Sequence, residues 1–412
     1  MSNRLFHSFI LSSVLLSAAS CASDNDNGDL DQESGQNTLK TQTYQVLDIT
    51  ADLPSVPQSA SFQWSITEGP EALYTLTNAN QLSPRFITDK AGKYKLQLTC
   101  ITANEEIKKE YTIEVKDNPV KATRYLTNVF DYCPAPGQFV NVLPAYENGD
   151  TAESMRQKAE KAIAGKANGD IVTLGGYGGF ITIGFNHTII NVEGEPDFRV
   201  LGNAFINEII DPQTGETRKG GSSEPGIIRV AFDANHNGLP DDEWYEIAGS
   251  EYDNPESVKD YEITYFRPQS EEAQPVKEGY CINDSYIRWE DNQGISGYRK
   301  KIIAHTQSYF PLWLTDTQLS FKGTRLPDNA IDMSGDGSNW VLFAFAAGYA
   351  DNLNNSDSES AIDISLSVDK EGNPVVLPGI DFIQIYTGIN QECGHIGETS
   401  TEITGAEDLH IR

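Results

Sequence analysis

The chain has 412 residues and a formal net charge of −30, from 30 Lys and Arg against 60 Asp and Glu. At about 150 residues per domain, that length suggests two or three domains. No cluster of Lys and Arg exists to meet a phosphate backbone or an anionic lipid surface, so nucleic acid is excluded as a partner; 34 Gly and 19 Pro favour a turn-rich β chain over a helical bundle.

Residues 1–20 read as a signal peptide. Arg4 supplies the positive region, and the apolar run from Leu5 to Leu16 is too short to span a bilayer. Ala18, Ala19 and Ser20 lead into Cys21, and here the sequence resembles a bacterial lipoprotein signal in which the Cys is lipidated. Such a Cys implies a lipid anchor with no spanning helix. Residues 21–40 are acidic and polar without apolar periodicity, as expected of a flexible tether. Their start, Ser23-Asp24-Asn25-Asp26, resembles the export signal of Bacteroidota surface lipoproteins, which implies display on the outer membrane.

From 41 to 117 the pattern has period two. Phe62, Trp64 and Ile66 alternate with polar residues, as do Tyr94, Leu96, Leu98 and Cys100, and then Tyr111, Ile113 and Val115. One buried face and one wet face per strand predict an immunoglobulin-like sandwich. DKAGKYKLQLTC resembles a strand of PKD-like domains. Four Cys remain beyond the anchor (Cys100, Cys133, Cys281 and Cys393), none in a C-x-x-C pair, and buried free thiols are the expectation.

Asp117-Asn118-Pro119 marks a joint. Residues 120–412 suit a larger, jelly-roll-like β-sandwich with one or two helices, so the fold class is mainly β. One helix is clear, with Thr151 as N-cap and Met155, Ala159, Ala162 and Ile163 on one stripe, ending near Gly165. FITIGF, IIRVAFD, YEITYF, WVLFAFAAGY and GIDFIQIY read as strands.

The sharpest motif is DANHNGLPDDEW, residues 233–244. Asp233, Asn235 and Asn237 hold positions one, three and five of an oxygen-ligand calcium loop. Gly238 follows where a sharp turn is needed, Leu239 offers its carbonyl at seven, and Asp241 stands at nine. Position twelve is Trp244 rather than Glu, so a neighbouring acid such as Asp242 is expected to complete the Ca²⁺ shell. Shorter acidic loops follow at Asp332–Gly337 and Asp351–Asp357. Aromatic residues crowd 244–313: Trp244 and Tyr245 adjoin the calcium motif, and Tyr309, Phe310 and Trp313 flank Pro311 as the expected exposed ligand platform.

No G-x-S-x-G, H-E-x-x-H or P-loop is present. The Gly-rich LGGYGG at 174–179 precedes a strand, not a helix, so it does not read as a phosphate cradle. Together, APGQFVN, the Gly-rich strand segment, the 223–252 region, FAAGYADN and the LPGIDFIQIY segment resemble Bacteroidota cell-surface proteins carrying a PKD-like domain before this large module. Related lipoproteins accompany TonB-dependent receptors in loci for vitamin B12 and other corrinoids. The resemblance implies a surface binding protein for a small-molecule or glycan ligand, a corrinoid among the candidates, serving such a transporter. A glycan-binding or glycan-processing protein and a plain adhesion module stay open as alternatives.

Overall fold

The structure, a computed structural model, describes residues 38–53, 59–103, 105–274, 276–277 and 279–412. The signal peptide, Cys21 and nearly all of the expected tether lie outside the described residues. No helix among the described residues is long and apolar enough to cross a membrane.

The fold is mainly β, as expected. The first described strand, Thr38–Gln42, starts within the last three residues assigned to the tether. It pairs in parallel with Glu106–Lys116, which pairs in turn with Gly92–Ile101, and that strand with Ser61–Glu68. A second sheet of three strands (Leu47–Asp48, Arg85–Thr88 and Tyr74–Thr77) closes the sandwich. The period-two residues fill the space between the sheets. Trp64, Tyr94, Leu96, Leu98, Tyr111, Ile113 and Val115 are all buried, joined by Ile49 and Phe86.

This sandwich packs on the larger module. Val46 and Ile87 join the larger module's core, Tyr44 sets its ring edge-on to His187 at 5.1 Å, and Arg85 lies over Phe232 at 5.5 Å. His187 is itself held by Asp408 at 2.8 Å, with both side chains buried.

The larger module is built on a six-stranded antiparallel sheet. Its order is Ser367–Val368, Trp244–Ile247, Gly226–Ala231, Gly379–Thr387, Phe180–Ile190 and Asn128–Cys133. One face presents Ile181, Ile183, Ile228, Val230, Ile247, Ile383 and Ile385 to the main core. The helix Ala152–Ile163 lies in that core and buries Met155, Ala159, Ala162 and Ile163. Its start is fixed as the sequence suggests: Thr151 accepts the Ser154 N–H at 3.2 Å, and the Ser154 hydroxyl accepts the Thr151 N–H at 2.8 Å.

A four-stranded sheet covers part of the opposite face. Its strands are Ser296–Ile302, Cys281–Asp291, Val258–Phe266 and Gln318–Arg325. A tyrosine-rich core seals it, with Tyr177, Tyr261, Tyr265, Tyr286 and Tyr309 buried alongside Phe310 and Phe321. The Gly-rich run threads beneath this layer. A Cβ on Gly179 would stand 1.9 Å from the Leu174 carbonyl oxygen and 2.2 Å from the Ala135 nitrogen, so this run has no room for larger residues.

Candidate functional site

Four strands of the central sheet each place a polar residue between apolar neighbours, out of step with the core. These are Thr182 in FITIGF, Gln384 in DFIQIY, Arg229 in IIRVA and Glu246 in WYEI. In an antiparallel sheet, directly opposed residues project to the same face. Here Thr182 opposes Gln384, Gln384 opposes Arg229, and Arg229 opposes Glu246. Asp131 opposes Thr182 and extends the row to the exposed end. The register therefore gathers single polar residues from five strands into one line.

The Arg229–Glu246 end of that line opens into a groove of about 560 Å³; Asp131, Thr182 and Gln384 lie outside its lining. Arg229, Glu246, Trp244, Tyr252, Lys259 and Tyr386 contribute to its lining. Trp244 stands two residues before Glu246 and opposes Ala231, so it shares the groove face. Tyr252 forms a wall, with the Lys259 ammonium 3.0 Å from its ring centroid. The covering sheet grips the groove through Thr324, whose hydroxyl donates to Glu246 at 2.8 Å and whose N–H donates to the Tyr386 hydroxyl at 2.8 Å. Glu246 also lies 3.6 Å from Lys259. Burial pushes its carboxyl up, opposed by the charges of Lys259 and Arg229. The lining is heavily charged, with four basic and five acidic side chains beside the rings of Trp244, Tyr252 and Tyr386.

The aromatic expectations divide. Trp244 lines the groove. Tyr245, one residue on, opposes Val230 and packs against the main core, while its hydroxyl reaches Glu243 at 2.9 Å. The expected platform is corrected outright: Tyr309 and Phe310 are 0% exposed and Trp313 is 8% exposed. Tyr309 packs edge-on to Tyr286 at 5.4 Å and donates to the His305 carbonyl at 3.0 Å. Arg267 covers Phe310 at 4.2 Å, and Trp313 joins the main core near Tyr132 and Tyr146. Pro311 does turn the chain, but Leu312 is the residue it exposes, at 44%. Rings of that size release too much apolar area on burial to be left in solvent when a facing layer exists.

The acidic loop is compact. Asp233 accepts the N–H groups of Asn237 and Gly238 at 3.1 and 2.8 Å. Asn235 and Asn237 turn their amides to Asp241 at 3.0 and 3.1 Å. The Leu239 carbonyl accepts the Asp241 N–H at 2.9 Å. Gly238 takes φ 74° with open space around it, so the turn itself requires the glycine. One Asp242 carboxylate oxygen is buried without a partner. Burial, then the charges of Asp233 and Asp241, push the Asp242 carboxyl up. Its three carboxylates, two amides and one carbonyl are the kinds of oxygen that Ca²⁺ takes, but among the described residues Asp233, Asp241 and Asp242 do not form a carboxylate cluster within 4.8 Å. The loop at Asp332 repeats the opening move, its carboxylate accepting the Gly337 N–H at 2.7 Å. No described hydrogen bond or ion pair joins the two loops.

The third acidic loop folds inward. Asp351 is 3% exposed and accepts the N–H groups of Asn203, Ala204 and Glu402 at 2.8, 2.8 and 2.9 Å. Asp351, Glu402 and Glu224 bring carboxylate oxygens within 4.8 Å of one another. Burial pushes all three carboxyls up. The trio ties loops together through backbone donors. Cys100 and Cys393 are buried free thiols, Cys133 is a half-buried one, and Cys281 is buried.

No protein-family model matches this chain, and no curated protein matches it. Among solved structures it is similar to the "Solution structure of the PKD domain from KIAA 1837 protein" at 20% identity, over 24% of this chain and 99% of that one, with a TM-score of 0.19. The fold description stands on the strand pairings above and not on that likeness.

Proposed function

We propose that this protein is a surface lipoprotein that binds a small-molecule or glycan ligand in the groove of the central sheet and delivers it to a TonB-dependent outer-membrane transporter. The observation that carries the reading is the cross-strand pair Arg229 and Glu246 in the groove, walled by Trp244 and Tyr252. Hydrogen-bonding groups beside flat rings suit a ligand with polar edges and a ring face. A corrinoid and a sugar chain both have that character, and the corrinoid is favoured by the resemblance of the later two-thirds of the sequence. Lipidation at Cys21 supplies the anchor in this reading. Ca²⁺ in the Asp233–Asp242 loop stiffens a segment that leads directly into the Trp244 strand.

Calorimetric titration with cyanocobalamin, beside a glycan array, tests the proposal. Binding that falls at least tenfold in Trp244→Ala supports it. Binding to neither ligand class at high micromolar concentration removes it, and binding undiminished by Trp244→Ala moves the ligand out of this groove. Turnover of a labelled polysaccharide would replace binding with glycan processing.

A further inference from the structure

The charges around the groove are unevenly neutralised. Lys259 pairs with Glu246 at 3.6 Å, Lys322 with Asp260 at 3.0 Å, and Lys370 with Glu371 at 3.6 Å. All three lysines line the groove, and each has its acid. Arg229 lines it too, at the centre of the polar row, and is half-buried. Among the described residues its one side-chain hydrogen bond is a long contact of 3.4 Å to the Gln384 amide oxygen, and no carboxylate stands within ion-pair distance. Glu246 is its cross-strand neighbour, yet that carboxylate is drawn aside to Thr324 and Lys259.

A guanidinium carries five donors in a planar fork that matches a carboxylate or a phosphate two bonds at a time. Arg229 is half-buried and is not among the described side chains with a buried, unpartnered polar atom, so its uncommitted donors face the open groove, where an incoming anion can meet them. We propose that Arg229 anchors an anionic group, a carboxylate or a phosphate, carried by the ligand of this groove. The proposal rests on the ligand-binding reading above and narrows it. The ligand has one acidic substituent placed so that its remaining ring or chain lies between Trp244 and Tyr252. The neighbouring acids (Glu246, Asp253, Asp260, Asp369 and Glu371) disfavour a ligand with several anionic groups and so select for one such group.

The experiment titrates the anchored, full-length chain with three probes: methyl glucoside, glucuronate and glucose 6-phosphate, read by ligand-observed NMR. Glucuronate or glucose 6-phosphate is expected to bind at least tenfold more tightly than methyl glucoside, and which of the two does so separates carboxylate from phosphate. Arg229→Gln should abolish the preference, Arg229→Lys should restore part of it, and neither should shift the thermal melt. Equal binding of methyl glucoside overturns the anionic anchor and leaves the groove reading standing. A preference that survives Arg229→Gln also overturns it, as does failure of all three probes; the groove itself is then decided by the cobalamin and glycan titrations with Trp244→Ala.

Discussion

Two aromatic segments of this chain meet opposite fates. Residues 309–313 carry Tyr309, Phe310 and Trp313 around a proline, and all three rings go inside. Residues 244–245 carry Trp244 and Tyr245 on one short strand, and the pair splits between the groove and the core. Aromatic density does not report exposure. What decides it is whether a second layer covers the face to which the backbone points the ring. The four-stranded sheet covers Tyr309 and Phe310, whereas Trp244 stays half-buried in the groove beside that sheet's Lys322, Gly323 and Thr324.

The largest effect should come from the covered segment. Phe310→Ala should cost about 3–5 kcal/mol by removing a fully buried ring. Chemical denaturation measures it, and a loss under about 1 kcal/mol would mean that the segment is exposed after all. A second effect tests the polar interior beneath the same layer. Burial raises the Glu398 carboxyl from 4.5 to about 8, against the pull of Arg299. The folded state then holds a proton that the unfolded state releases, so stability falls as pH rises from about 4.5 toward 8. Glu398→Gln should remove that slope, worth on the order of 2–4 kcal/mol. A wild-type slope unchanged in the variant contradicts the assignment.

Smaller effects sharpen the open side of the comparison. Saturating Ca²⁺, at about a hundred times its dissociation constant, should stabilise the protein by about 2.7 kcal/mol. Asp233→Ala should erase the shift in melting temperature, and an equal shift in the variant would place the ion elsewhere. Trp244→Ala should cost about 1.4 kcal/mol of ligand affinity, a tenfold change, with stability altered by less than about 1 kcal/mol. Tyr245→Phe should change affinity by less than about 0.5 kcal/mol, because its hydroxyl faces Glu243 and its ring the core. A larger loss of affinity for Tyr245→Phe than for Trp244→Ala would invert the register argument.

Much of the fold was open to reading. Period two in SFQWSI, KYKLQLTC and EYTIEV placed the small core because each strand buries one face only. The capped helix stripe at Met155, Ala159, Ala162 and Ile163 was equally local. The compact acidic loop at Asp233–Asp242 was visible because its residues lie within ten positions, and turn hydrogen bonding at that range needs no tertiary partner. The inward turn of Asp351 was not visible, because its partners Asn203, Ala204 and Glu402 lie far away in the chain.

The sequence alone therefore determined what local periodicity and spacing can encode: a mainly β chain, a small sandwich ahead of a large one, one helix and one oxygen-rich loop. The groove belongs to the tertiary structure. Thr182, Arg229, Glu246 and Gln384 each stand between apolar neighbours in a strand, and that oddity was there to be noticed. Only cross-strand register sets them side by side, since a slip of one residue would turn each of them into the core.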